Sequence, residues 1–250
     1  MIPALVLAGS PNTGPLRDVS PAPSEALIDV HGRPLTAYVI EALLATPVVG
    51  RVVVVGPRDL GKSFGSDRIV ILPLQGGLLE NLAVGLKALA NASRVLVVTG
   101  DLALLTPSAV AEFLQLCSSE EADVFYPVVP RDAVEKAYPT IKRTYVRLRE
   151  GVFTGGNVGL VDPAVLIRSL DRARDFVRLR KKPLRLALVV GPGVLGRFLL
   201  GRLSLREAEK KVSRILGLRG RAVIASIPEI GVDVDKPGDL EVVKDVLKER

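Results

Sequence analysis

The sequence predicts an α/β fold: a mostly parallel, Rossmann-like sheet with a small β-hairpin lobe and a helical insertion at about residues 164–220. Three observations predict it. Short runs of β-formers alternate with stretches of helical periodicity, the pattern of a parallel sheet covered on both faces. Several of those runs, such as "VVVV" and "VLVV", are nearly all apolar, as strands buried on both faces are. Apolar residues make up 48% of the 250 residues and charged residues 24%, enough for one large core. With no internal repeat and no low-complexity tract, residues 1–250 are expected to form a single domain.

The elements follow in order. "PALVLA" is a strand that runs into a loop rich in glycine and proline, and "LTAYVIEALLA" has helical spacing. "GRVVVVG" and "RIVILP" are the next strands. Gly76-Gly77 then breaks the chain before the helix "LLENLAVGLKALAN". "RVLVVTG" is a strand, after which Thr106-Pro107 supplies an N-cap and an N1 proline for the helix "SAVAEFLQL". "ADVFYPVV" is a further strand, and "RTYVRLREGVFTGG" reads as a hairpin turning at Glu150-Gly151. After "NVGLVDPAVL" the strand rhythm stops, which marks the insertion. Within it, Ser204 and Glu207 form a capping box for "REAEKKVSRILGL". The strand "AVIASIP", an acidic loop and the helix in "EIGVDVDKPGDLEVVKDVLKER" close the chain.

Composition narrows the chemistry. The one cysteine, Cys117, allows neither an intramolecular disulfide nor a thiolate cluster, which suits a reducing, cytoplasmic setting. The one histidine, His31, beside the "GRP" turn, reads as structural and excludes a multi-histidine metal site. A metal would therefore take oxygen ligands, favouring magnesium or manganese. No charged leader precedes an apolar segment at the start. The apolar stretch "PLRLALVVGPGVLGRFLLGRL" is broken by Arg185, Arg197 and Gly191-Pro192-Gly193, so no membrane span is expected. Of the net charge of +7, much lies from Arg168 to Arg185, which reads as a solvated helix face and linker or as a surface for an anion. No aromatic residues interleave with these charges in the way a stacking nucleic-acid site needs, so nucleic acid is not expected as a partner. A homo-oligomer stays open.

Two acidic segments carry the functional argument. Asp101, in "VTGDLALLTP", follows a buried strand and precedes a helix start, where open α/β sheets bind their ligands. The alternative is a turn residue whose side chain accepts nearby backbone N–H groups. "GVDVDKPGDL" places Asp233 and Asp235 before the final helix, as a metal ligand or as an acidic turn in which Asp235 or Asp239 caps that helix. Aspartates far apart in sequence but each at a strand's carboxyl end can meet over the sheet. The expected metal set is Asp101 with Asp233 or Asp235.

"ALVLAG", followed some fifteen residues later by "EALIDVHGRPLTAYVIEAL", resembles the opening of the nucleotidyltransferase superfamily. That superfamily includes molybdenum-cofactor guanylyltransferase-like and sugar-phosphate nucleotidylyltransferase proteins, and its sheet is of the nucleotide-diphospho-sugar transferase type. The resemblance implies NTP-dependent nucleotidyl transfer to a phosphorylated or hydroxyl acceptor, with release of pyrophosphate. "LQGGLLENLAVGL" is similar to the base-reading loop, which with the first strand's end gives a nucleotide set of Leu7, Ala8, Gly9, Ser10, Gln75, Gly76, Gly77 and Asn81. "TGDLALLTP" is similar to the family's Asp-x-Pro-Leu segment, so Asp101 matches the magnesium-binding aspartate. "GNVGLVDP" is similar to the acceptor-side segment and places Asn157 near the acceptor. Lys142 and Arg143, in "TIKRTY", are candidates for acceptor phosphate or lie on a solvated strand edge. "GVDVDKPGDL" resembles the closing loop that supplies a second metal ligand.

One position departs from the pattern. Where the family has the lysine of "K-x-L", this chain has Glu25, an anion where phosphates should lie. Phosphate binding then falls to Arg17, Arg33 or Lys142. Arg17 is the favoured catalytic cation, because it shares the loop and a guanidinium can bind two phosphate oxygens. Glu25 also admits a catalytically silent nucleotide-binding or regulatory protein. A nucleotide-sugar glycosyltransferase is the other alternative, since Asp233-Val234-Asp235 reads as Asp-x-Asp, although that motif closes the chain here.

Overall fold

In the computed structural model, which describes residues 1–179 and 191–249, the β-branched runs pair into a nine-stranded sheet. At its centre β1 (Ile2–Leu7) runs parallel to β4 (Val49–Val55) on one side and to β6 (Val95–Thr99) on the other. β5 (Ile69–Leu72) extends the parallel half beyond β4. On the other side β10 (Val158–Val161) lies antiparallel between β6 and β7 (Val124–Pro130), and β7 runs parallel to β11 (Gly220–Ile224). The expected hairpin is β8 (Val146–Leu148) and β9 (Gly151–Gly155), and β9 joins the sheet through the last residues of β7.

Strand alternation distributes the core to both faces. Ala4, Val6, Val52, Val54, Leu96 and Val98 point one way, onto α1 (Leu35–Leu44), α3 (Pro107–Leu116) and α8 (Pro237–Lys248). Leu5, Val53, Val55 and Val95 point the other way, where Leu86 of α2 (Leu78–Ala88) and Leu166 and Ile167 of α5 (Pro163–Leu179) meet them. The strands at the centre are apolar on both faces because both faces are covered.

The local signals hold. Thr106 Oγ1 accepts the Ala109 N–H at 3.1 Å with Pro107 at the first helical position, the N-cap read from the sequence. Later in the chain, α6 (Pro192–Leu199) and α7 (Leu205–Leu216) follow α5, and Ser204 with Glu207 forms the capping box of α7. The α7 helix packs on α5 and β11, and α5 packs on α2. Of the basic stretch, Arg172 donates to the Leu216 carbonyl at 3.3 Å and Arg174 pairs with Glu80 at 3.4 Å. Its residues 180–185 lie outside the described residues. Among the described residues no helix is long and apolar enough to cross a membrane.

Two elements had no sequence signal. α4 (Arg131–Ala137) buries only Val134, too little to show periodicity. The strands β2 (Asp29–Val30) and β3 (Arg33–Pro34) form a hairpin outside the main sheet. Its turn residues, His31 and Gly32, both have positive φ, 52° and 80°, as a type I′ hairpin turn needs. His31 thus lies in the turn, and its Nε2 sits 2.7 Å from the Lys244 carbonyl of α8, a structural placement.

Candidate active site

Because β1 and β6 are parallel neighbours, the loops that leave them, Ala8–Ser10 and Gly100–Asp101, share one edge of the sheet. Close packing fixes Asp101 there. The Gly100 N–H donates to the Leu7 carbonyl at 2.9 Å, and the buried Thr36 hydroxyl donates to the Gly100 carbonyl at 2.7 Å. A Cβ on Gly100 would lie 2.9 Å from Thr36 Oγ1 and 3.0 Å from Ala8 Cβ, so only glycine fits.

The final loop then crosses this edge. The Val234 N–H donates to the Asp101 carbonyl at 3.2 Å, and Val232 and Val234 are fully buried. In extended chain, residues two apart face the same way. Burying both valines therefore turns Asp233 and Asp235 together toward Asp101. Carboxylate oxygens of Asp101, Asp233 and Asp235 all lie within 4.8 Å of one another. The sequence left a choice between Asp233 and Asp235, and the structure brings both. Capping falls to Asp239, which is buried and accepts the N–H groups of Asp235 and Lys236 at 3.2 and 3.1 Å. The Asp235 carboxylate is left exposed at the cluster.

Burial pushes the Asp101 carboxyl above its ordinary pKa; hydrogen bonds from the Thr99 hydroxyl and the backbone oppose this, Asp235 adds to it, and Arg143 offsets it. Arg143 is not on a strand edge. It lies in the loop before β8, its guanidinium ion-paired to Asp233 and its Nη1 donating to the Asp233 carbonyl at 3.1 Å. Both side chains are largely buried, 11% and 13% exposed.

Glu25 also faces this cluster. The buried Asn12 holds its loop, donating to the Ser20 and Ala22 carbonyls at 3.0 and 2.9 Å, while the Glu25 N–H donates to the Ser10 carbonyl at 3.1 Å. Glu25 lines a small cleft with Leu7, Ala8, Ser10, Gly100 and Asp101. Burial raises its pKa first, then the charges of Asp101 and Asp235, against a lowering hydrogen bond from the Ser10 side chain.

On the β5 side, Asn81 is buried and occupied with its own loop. Its Oδ1 accepts the Gln75 N–H at 2.8 Å and its Nδ2 donates to the Gly76 carbonyl at 3.2 Å. A Cβ on Gly9 would lie 2.6 Å from Asn81 Nδ2 and 2.8 Å from Leu74 Cδ2, so the Gly9 loop packs directly on Asn81 and Leu74. The Gln75 side chain is exposed. On the other side Asn157 bridges two loops through its backbone, donating to the Ile230 carbonyl at 2.8 Å and accepting the Thr99 N–H at 3.1 Å. A cleft of about 120 Å³ is lined by Lys142, Arg143, Thr144, Thr154, Asp235, Lys236 and Asp239. Lys236 is a lining residue that the sequence marks only by its place directly after Asp235.

Neither remaining cation lines these two clefts. Arg17 is exposed, on a turn that packs against α8. Arg33 is committed to an ion pair with Glu41 and stacks 4.7 Å from the centroid of the Tyr38 ring. It lines a wider cavity between α1, α3 and α8 that contains none of the four acids.

Residues 4–216 match the MobA-like NTP transferase domain. The chain belongs to the MobA-like NTP transferase family. No curated protein is a significant match. A solved structure from Thermus thermophilus, described as a hypothetical transferase, is 45% identical, with 96% of this chain and 99% of that one covered at a TM-score of 0.84. A Methanothermobacter nucleotidyl transferase shares the fold at 16% identity and a TM-score of 0.61, covering 100% of this chain and 99% of its own. The 4-diphosphocytidyl-2C-methyl-D-erythritol synthase of Anaerococcus prevotii does so at 10% identity and 0.57, covering 99% and 96%. General nucleotide transfer is thus the chemistry of this family member's relatives. Its three clustered aspartates, all oxygen donors without sulfur or imidazole, fit a hard divalent cation.

Proposed function

We propose that this family member catalyses NTP-dependent nucleotidyl transfer to a phosphorylated or hydroxyl acceptor. An acceptor oxygen attacks the α-phosphate in line; its bond to phosphorus forms as the bond to the β-phosphate's bridging oxygen breaks, and pyrophosphate leaves. No covalent enzyme intermediate is involved. The observation that carries this reading is the meeting of Asp101 with Asp233 and Asp235 at the carboxyl edge of a parallel sheet.

In this reading those three aspartates hold Mg2+ or Mn2+, which when bound supplies positive charge to the phosphate oxygens. Leu7, Ala8, Gly9 and Ser10 border the phosphates. Gln75, Gly76 and Gly77 meet the base, and Asn81 holds them in place. Asn157 and Lys142 serve the acceptor, Arg143 fixes Asp233, and Arg17 offsets charge on the leaving pyrophosphate. The test is pyrophosphate release from ATP, GTP, CTP and UTP with Mg2+ and a panel of phosphorylated and hydroxyl acceptors. Release that Asp101→Asn leaves unchanged at matched melting temperature counts against the site.

Glu25 favours a second reading, a nucleotide-binding or regulatory protein without turnover. It predicts an NTP-dependent rise in melting temperature, since a ligand of the native state stabilises it, with no pyrophosphate from any acceptor. A sugar-transfer assay separates a nucleotide-sugar glycosyltransferase from both.

A further inference from the structure

Among the described residues, Asp101, Asp233 and Asp235 bring their oxygens within 4.8 Å of one another, and Glu25 stands outside that group. Glu25 nevertheless shares the small cleft with Asp101, and no lysine or arginine lines that cleft. The guanidinium of Arg143 is bound to Asp233. Lys142 and Lys236 line the neighbouring cleft with Asp235, so the Glu25–Asp101 side is the one without a lysine or arginine. An anion at Glu25 repels a bare triphosphate, and it suits one only when a divalent cation stands between them.

We propose that Glu25 acts on the divalent cation of the aspartate triad as an outer carboxylate, accepting hydrogen bonds from the cation's water ligands. The cation's charge then takes the part that the family resemblance gives to a lysine at this position. The inference rests on the divalent-cation reading of the triad. Mg2+ retains several waters when protein carboxylates bind it, so an acid just beyond direct reach has waters to accept from. Such outer partners orient the ligands and commonly set metal affinity within a factor of ten to a hundred. The Glu25 N–H, which donates to the Ser10 carbonyl at 3.1 Å, holds the residue at the cleft.

The experiment titrates Mn2+ into the full chain without nucleotide, reading bound Mn2+ by electron paramagnetic resonance, with thermal melts to check folding. Glu25→Gln is expected to weaken Mn2+ binding at least tenfold, Glu25→Asp to keep most of it, and Glu25→Lys to lose it while melting higher than the wild type in metal-free buffer. Should Glu25→Gln fold poorly, Glu25→Lys and Glu25→Asp still decide the matter. Wild-type Mn2+ affinity in Glu25→Gln, or in a folded Glu25→Lys, overturns the proposal. Asp101→Asn separates the two levels. If it loses Mn2+ while Glu25→Gln keeps it, the triad stands and the role of Glu25 falls. If it binds Mn2+ as the wild type does, the cation reading of the triad falls, and this inference falls with it.

Discussion

Around α7 and β11, three acids each take both an arginine and a backbone N–H. Asp123 accepts the Arg219 N–H at 2.7 Å and its guanidinium at 3.0 and 3.2 Å. Glu209 accepts the Ala222 N–H at 2.8 Å and Arg221 at 3.1 Å. Glu207 accepts the Ser204 N–H at 3.0 Å and pairs with Arg197. Burial opposes ionisation of Asp123, but Arg219's hydrogen bonds and charge outweigh it and hold the carboxyl below its ordinary range. At the carboxyl edge of β1 and β6 the sign is reversed. Glu25 and Asp101 are raised by burial and by neighbouring acids, with Arg143 as the paired cation. Acids that brace the fold are neutralised within the chain, whereas Asp101 and Glu25 have no ion pair of their own among the described residues, the contrast on which the divalent-cation reading rests.

The largest test of this contrast is Asp101→Asn. Removing a group that organises charge in the transition state should lower nucleotidyl transfer by about 10²–10³-fold. The amide can still accept from Thr99, so the melting temperature without metal should hold or rise. Steady-state pyrophosphate release beside a thermal melt checks both. A comparable fall in stability would make Asp101 a brace like Asp123.

Arg143→Ala comes next. It leaves the largely buried Asp233 without its counter-charge, a loss of about 3 kcal/mol in metal-free protein. Denaturant unfolding with and without Mn2+ should show the cation restoring most of it. No recovery with Mn2+ would separate Asp233 from the cation site.

Arg17 and Arg33 sharpen the comparison further, since one is exposed and the other already ion-paired. Arg17→Ala should cost about 1.5–3 kcal/mol of triphosphate use, roughly a ten- to hundredfold drop. Arg33→Ala should leave kcat/KM for NTP nearly unchanged, because Arg33 is held by Glu41 and Tyr38. Equal effects of the two substitutions would remove Arg17 from the phosphate path.

The smallest effect belongs to the braced side. With its native pKa depressed, the Asp123 carboxylate contributes stability that is full above the ordinary carboxylate range and is lost as pH falls through the lowered native value. Asp123→Asn should therefore cost about 1–2 kcal/mol at neutral pH, and its unfolding curve should converge with the wild type's in acid. A gap that persists at low pH would assign the effect to packing instead of charge.

The sequence by itself determined the elements whose causes are local. The apolar runs of β1, β4 and β6, the Thr106-Pro107 start of α3, the Glu150-Gly151 turn and the Ser204–Glu207 box each depend on residues a few positions apart. So does the candidacy of Asp101, fixed by a strand before it and a helix after it. Only the tertiary structure decided what those residues do together. Asp233 and Asp235 both reach Asp101 because Val232 and Val234 sink into the core and the Val234 N–H finds the Asp101 carbonyl. Asp239 takes the cap, Asn81 is spent on the Gln75–Gly77 loop, and Arg143 closes on Asp233. α4 has no periodic signal in the sequence, because one buried valine makes no pattern. Secondary structure is written in periodicity, which a linear reading detects. A charged site is set by which side chains the parallel order of strands brings within a few ångströms, and that distance has no counterpart along the chain.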